Sequence, residues 1–161
     1  MPQAVTHILV PILLAAIFRD FYLRKNQKAH FPLHYVLLAG LGGVLPDVDI
    51  PISFLLNYLE AEPWDIHRTF SHSLIFPLIF LILYFLLKPM HKKARICNLG
   101  RHNLKLGNIF LILFFGTLIH IILDWIFPYF VNIFPSVVRS YVAPTLDGVL
   151  LIIWIVLIVV N

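Results

Sequence analysis

Residues 108–127 form a nearly unbroken apolar run of 20 residues, and this run constrains the fold more than any other feature of the chain. A helix of about 20 apolar residues crosses the hydrocarbon core of a bilayer by itself. Four further apolar segments lie along the chain. They cover residues 5–18, 33–45 with a short extension at 50–59, 73–87 and 149–160.

The composition excludes an ordinary soluble protein. Of the 161 residues, 60% are hydrophobic and 12% are charged, whereas soluble domains carry about 25% charged residues. A soluble fold of this size cannot bury so much apolar surface. We therefore predict an all-α, polytopic transmembrane helical bundle of about five segments, in which residues 1–161 form a single integral membrane domain.

The basic residues predict the orientation of this bundle. Four Lys and Arg residues lie between the first and second segments, and six lie between the third and fourth. The other two connections hold one basic residue each, Arg68 and Arg139. Because loops rich in Lys and Arg stay in the cytoplasm, we expect the N-terminus outside and the C-terminus inside. We expect a multi-pass protein in the cell membrane of a bacterium or archaeon.

This orientation brings four separate groups of metal-binding residue types to the outer face. One group opens the first segment, one follows the second, one precedes the third and one ends the fourth. Their members are His7; Asp47 and Asp49; His67 and His72; and His120 and Asp124. Because the orientation was set by Lys and Arg alone, this shared level is an independent indication of a site.

Two of these groups have two readings each. His120 and Asp124 are four residues apart, so both lie on one face of an apolar helix, as metal ligands or as a structural hydrogen-bonded pair. Asp47 and Asp49 lie one residue apart after Pro46, and in extended backbone they would point the same way. Two carboxylates this close suit a divalent cation, although either could instead cap the following helix.

The block from His67 to His72 carries two imidazoles five residues apart. That spacing predicts one histidine before the third segment and one in its first turn, with Thr69 or Ser71 as the cap. Arg68 is the single basic residue of this connection, and a guanidinium suits an anionic oxygen such as that of phosphate.

Imidazoles mixed with carboxylates favour zinc, with manganese or iron as alternatives, over calcium or magnesium. The four groups supply six or seven candidate ligands, so one or two ions are possible.

The order of these motifs resembles the LexA-regulated, membrane-bound predicted metal-dependent hydrolases, over roughly residues 7–124. The motifs are His7, Pro-Asp-Val-Asp at 46–49, His-Arg-x-x-Ser-His-Ser at 67–73, and His120-x-x-x-Asp124. The order is more distantly similar to the zinc-dependent phospholipase C and single-strand nuclease superfamily. That resemblance implies one ion held by Asp49, His67, His120 and Asp124, and a second reached by His7 and Asp124. No histidine follows Asp124, so the sequence departs from that pattern.

The main hypothesis is a metal-dependent hydrolase of a phosphoester or lipid-like substrate at the outer face. Metal-activated water would attack, Arg68 would steady the anionic group, and Asp47 or His72 would serve as general base or acid. The alternatives are a transporter or channel for a metal ion or proton, and a non-catalytic membrane scaffold. Membrane lipid is the expected partner, nucleic acid is not expected, and the oligomeric state is not predicted.

Overall fold

A computed structural model describes residues 4–26, 30–58, 71–89, 93–95, 103–132, 145 and 147–156. The α-helices are α1 (Ala4–Lys25), α2 (Leu33–Val44), α3 (Asp49–Tyr58), α4 (Ile75–Leu87), α5 (Leu106–Asn132) and α6 (Asp147–Val156). A 3-10 helix (Leu45–Val48) joins α2 to α3, and strands β1 (Lys93–Arg95) and β2 (Asn103–Lys105) pair antiparallel. The predicted helical class is confirmed.

Among the residues that the structure describes, three stretches are long and apolar enough to cross a membrane: Val5–Lys25, Leu33–Leu55 and Leu106–Ile126. Helices α4 and α6 are apolar but shorter. The first helix continues seven residues beyond the predicted apolar segment, because Arg and Lys are good helix formers that carry it into its basic end. The short β pair lies in the basic connection and was not predicted.

Helix α2 ends just before a proline, which has no backbone N–H donor. Pro46 has no N–H group, so the α-helical pattern gives way to the 3-10 helix that contains Asp47. Asp47 and Asp49 therefore lie in helical backbone, and the extended conformation expected for them was wrong. In a 3-10 helix two residues that are two positions apart point in different directions, because each turn takes three residues.

Glycines let α2 approach both of its neighbours closely. Helix α2 packs against α1 on one side and α5 on the other, and α4 packs against the far side of α5. A side chain at Gly42 would lie 3.1 Å from the Cα of Gly116 in α5. A side chain at Gly43 would collide with the carbonyl group of His7 in α1. Small residues give this close backbone packing in membrane helices, where apolar burial supplies no driving force.

The bundle has one basic end and one end that carries the predicted ligands. Arg24 and Lys25 occupy the last turn of α1, and Lys105 precedes α5. His120 lies 14 residues after Leu106, a rise of about 21 Å along α5. Since the hydrocarbon core is about 30 Å thick, the ligand level lies toward the end opposite the basic residues.

Helix α6 is tied to the start of α1 by a buried polar contact. The Thr6 hydroxyl donates a hydrogen bond to the carboxylate of Asp147, and both residues are buried. Thr6 directly precedes His7, so this contact fixes the end of α1 that carries the histidine.

We expect Gly43→Ala to destabilise the protein by about 1–3 kcal/mol or more, as overpacking does where backbone cannot move aside. The added Cβ would meet the His7 carbonyl group and lie 2.9 Å from Cγ of Pro11. The thermal unfolding midpoint in detergent measures this effect. Gly148→Ala is the matched control, because no atom of the described residues lies within 4 Å of its added Cβ. Equal midpoints for the two variants would contradict the proposed packing role.

Candidate metal centre

Side chains from four elements meet at the end of the bundle opposite the basic residues. His7 comes from α1, Asp47 from the 3-10 helix, and His72 from the turn that precedes α4. His120 and Asp124 come from consecutive turns of α5. The structure thus brings together residues that are up to 117 positions apart in the sequence, from His7 to Asp124.

Three donor atoms form a nearly equilateral triangle. Nε2 of His72 lies 3.3 Å from Nε2 of His120 and 3.3 Å from Oδ2 of Asp124. Nε2 of His120 lies 3.4 Å from the same oxygen of Asp124. Oδ1 of Asp47 lies 3.4 Å from Nε2 of His72 and 3.6 Å from Nε2 of His120. Five of the six distances among these four atoms thus span 3.3–3.6 Å.

These spacings fit a small tetrahedral ion. Ligands about 2.0–2.1 Å from a tetrahedral zinc ion are about 3.3–3.4 Å from one another. Octahedral coordination at the same bond length brings neighbouring ligands to about 2.8–3.0 Å. The triangle of His72, His120 and Asp124 matches the tetrahedral value on every side.

The backbone of α2 fixes the ring of His120. Nδ1 of His120 lies 2.6 Å from the carbonyl oxygen of Gly43, and an oxygen of this kind can only accept, so Nδ1 carries the proton. The carbonyl oxygen of Gly43 receives no 3-10 hydrogen bond from Pro46, because proline has no N–H group. In the neutral ring of His120 the proton on Nδ1 leaves Nε2 unprotonated, and this Nε2 is one corner of the triangle.

A single hydroxyl proton fixes the ring of His72 in the same way. Ser71 donates its hydroxyl proton to Oδ2 of Asp49 at 2.5 Å, so the Ser71 oxygen can only accept from Nδ1 of His72, 3.0 Å away. Oδ2 of Asp49 lies 3.7 Å from that same Nδ1. His72 is thus held between two aspartates, with Asp49 on the Nδ1 side and Asp47 on the Nε2 side.

Electrostatics favour the neutral form of His72. Burial, and after it the neighbouring imidazole of His120, lower the pKa of His72 below its ordinary value, although the nearby carboxylates raise it. A neutral imidazole is the form that binds metal ions. Two bare ring nitrogens and two carboxylates then face one another, an arrangement that a cation would stabilise.

His7 lies next to Asp124 but outside the triangle. Its Nε2 is 3.5 Å from Oδ1 of Asp124, the oxygen that does not face the triangle, and its ring centre is 3.9 Å from that of His120. In the described part of the chain, the buried Nδ1 of His7 has no hydrogen-bond partner. Asp124 therefore offers one oxygen to the triangle and one to His7.

The predicted site residues divide into two sets. His7, Asp47, Asp49, His72, His120 and Asp124 lie together. His67 and Arg68 lie outside the described residues, so their assigned roles stay predictions. His72 lies in the turn before α4 and not in its first helical turn, because α4 begins at Ile75.

Sequence reasoning missed the role of two supporting residues. Ser71 was one of two candidate caps of α4, but that helix has no side-chain cap at Leu74, and Ser71 bonds Asp49 and His72 instead. The sequence assigned no role to Gly43. The hydroxyl beside His72 was a visible signal, whereas the contact of Gly43 with His120 joins residues 77 positions apart.

We expect His72 and His120 to carry their neutral-ring proton on Nδ1, because Ser71 and the Gly43 carbonyl accept from these atoms. Nitrogen-15 chemical shifts of labelled imidazoles at pH 8 distinguish the two tautomers. His34, at the opposite end of α2, is a reference ring. A proton on Nε2 of either His72 or His120 would contradict the geometry.

Comparisons with known proteins identify the family. A search of curated proteins and a search of solved structures each found no match to the chain. The model of one protein family, described as YdjM inner membrane protein, matches residues 1–160. The match covers nearly the whole chain, and it agrees with the three helices that are long and apolar enough to cross a membrane. The chain is a membrane protein that belongs to the YdjM inner membrane protein family.

Proposed function

We propose that this protein is a zinc-dependent hydrolase of phosphoesters, with its centre near the outer face of the membrane. The observation that carries the proposal is the triangle of His72, His120 and Asp124, whose sides of 3.3–3.4 Å suit tetrahedral zinc. Two histidines and one carboxylate are a frequent ligand set of catalytic zinc, which keeps its fourth position open.

The proposal assigns the metal to residues that differ in part from those predicted by resemblance. His72, His120 and Asp124 would hold the ion. Asp49 would orient His72 through Nδ1, as carboxylates behind metal-binding histidines commonly do. His7 and Oδ1 of Asp124 are the pair to which a second ion would bind.

Bound zinc would acidify a water molecule to a pKa of about 7 and polarise a phosphoryl oxygen. Asp47 lies beside the same two imidazoles, and about a quarter of its side chain is exposed. A carboxylate at this position is suited to accept a proton from water, which general bases do within about 2.6–3.2 Å of the proton donor. Ser71, Asp49 and the Gly43 carbonyl keep both imidazoles turned toward the same point.

The ion or proton path receives less support. The stretches of α1, α2, α4 and α5 between the centre and the basic end contain no Asp, Glu, Lys, Arg or His; they are residues 8–18, 35–44, 75–87 and 106–119. Transport routes through membranes are commonly marked by ionisable groups along their length. The cluster lies at one level, which suits chemistry at a surface better than passage across the bilayer.

The test compares metal content and activity in two variants. We expect His120→Ala to lose both zinc and activity. Asp47→Asn should retain near-stoichiometric zinc while kcat falls about 10²–10⁴-fold, as expected for removal of a general base. Metal content is measured by plasma mass spectrometry of detergent-purified protein, and activity by hydrolysis of bis-p-nitrophenyl phosphate and of phosphatidic acid.

Asp20→Asn serves as the control, because Asp20 pairs with Arg19 at the basic end of α1. This variant should match the wild type in both measurements. Loss of zinc from Asp47→Asn, as complete as from His120→Ala, would make Asp47 a fourth ligand and the ion structural. Absence of metal from reconstituted wild-type protein would reject the hydrolase and leave the scaffold alternative.

A further inference from the structure

An apolar groove of about 460 Å³ runs along the bundle between α1 and α5, with α2 as its floor. Residues along one face of α1 and one face of α5 form its walls, and two residues of α2 form its floor. Among its lining residues are Pro11, Ala15, Phe18, Ala39, Ile112 and Phe115. Asn108, at the basic end, is a polar exception in this lining.

The groove leads to the metal centre. Its lining residues on α1 recur at helical spacing from Pro11 to Phe18, and His7 lies one turn earlier on the same stripe. On α5, Gly116 lines the groove and His120 follows one turn later. The two stripes continue to the packed rings of His7 and His120, which are buried. The groove therefore ends about one helical turn from the centre.

The groove lies at bilayer depth. Both outer helices belong to stretches that are long and apolar enough to cross a membrane. Its rim residues Leu14 and Phe115 are each 49% exposed, so the groove opens sideways toward lipid. Exposed backbone and polar groups are costly there, whereas a hydrocarbon chain needs no hydrogen-bond partner.

The groove is long and narrow. Its lining on α5 runs from Asn108 to Ile119, a rise of about 16 Å at 1.5 Å per residue. Because it opens to lipid and its lining is apolar apart from Asn108, a hydrocarbon chain of a bilayer lipid can occupy it without leaving a polar group unpaired.

We propose that the groove holds one acyl chain of a phosphate-bearing membrane lipid whose headgroup lies at the His and Asp cluster. This inference rests on the proposed function and names its substrate class, a lipid phosphoester. Since lipid chains are as apolar as the groove, burial alone gives no net affinity in a membrane. The groove sets the direction of the chain, and the polar centre holds the phosphate.

The experiment uses photo-crosslinking in vesicles. The full-length protein is reconstituted with phosphatidic acid that carries a diazirine at the middle of one acyl chain, and crosslinked peptides are identified by mass spectrometry. Ala15→Phe fills the groove, because Ala15 lines it. Ala16→Phe adds the same group one residue along α1 and outside the lining, so it is the matched control. Zinc content is measured on every sample.

We expect crosslinks to concentrate on the lining residues of α1 and α5, to disappear in Ala15→Phe and to persist in Ala16→Phe. Crosslinks spread evenly over all exposed helices, or unchanged in Ala15→Phe, would overturn the inference. Crosslinks between two copies at the groove would also overturn it, in favour of a dimer. Because zinc content is read separately, absence of groove labelling from wild-type protein that retains zinc rejects the lipid alone, whereas absence of zinc rejects the proposed function.

Discussion

The arrangement of this centre depends on two imidazole rings whose Nε2 atoms face each other. Nε2 of His72 and Nε2 of His120 lie 3.3 Å apart, and their Nδ1 atoms contact Ser71 and the Gly43 carbonyl. Two carboxylates lie beside them. Ionisable groups buried at the edge of a bilayer carry a large desolvation cost. A bound cation would offset that cost.

The helix packing holds this arrangement in place. Gly43 allows α1 and α2 to pack closely beside His7, and its carbonyl oxygen accepts a hydrogen bond from Nδ1 of His120. Gly42 and Gly116 set the separation of α2 and α5. Below the centre, α1 and α5 separate and leave the apolar groove. The same three helices thus form a polar centre at one end and an apolar groove beneath it.

The helical class and the level of the site could be predicted from sequence, because apolar run lengths and basic loops report directly on a bilayer. The individual roles could not. Asp47 and Asp49 lie at opposite nitrogens of His72 because one is in the 3-10 helix and the other begins α3, and the sequence left extended backbone and a helix cap as equal readings there. The proton positions depend on one hydroxyl, that of Ser71. The groove joins stripes on helices 90 or more residues apart, such as Pro11 and Phe115, so no local pattern predicts it.

X-ray absorption spectroscopy at the zinc edge of the metal-loaded, detergent-purified protein tests the proposed centre most directly. We expect a four-coordinate ion with about two imidazole nitrogens and oxygen ligands at about 2.0–2.1 Å. One imidazole should be lost from that shell in His72→Ala. A six-coordinate shell of oxygen alone, or a spectrum unchanged by His72→Ala, would contradict the assignment of His72, His120 and Asp124 as the metal ligands.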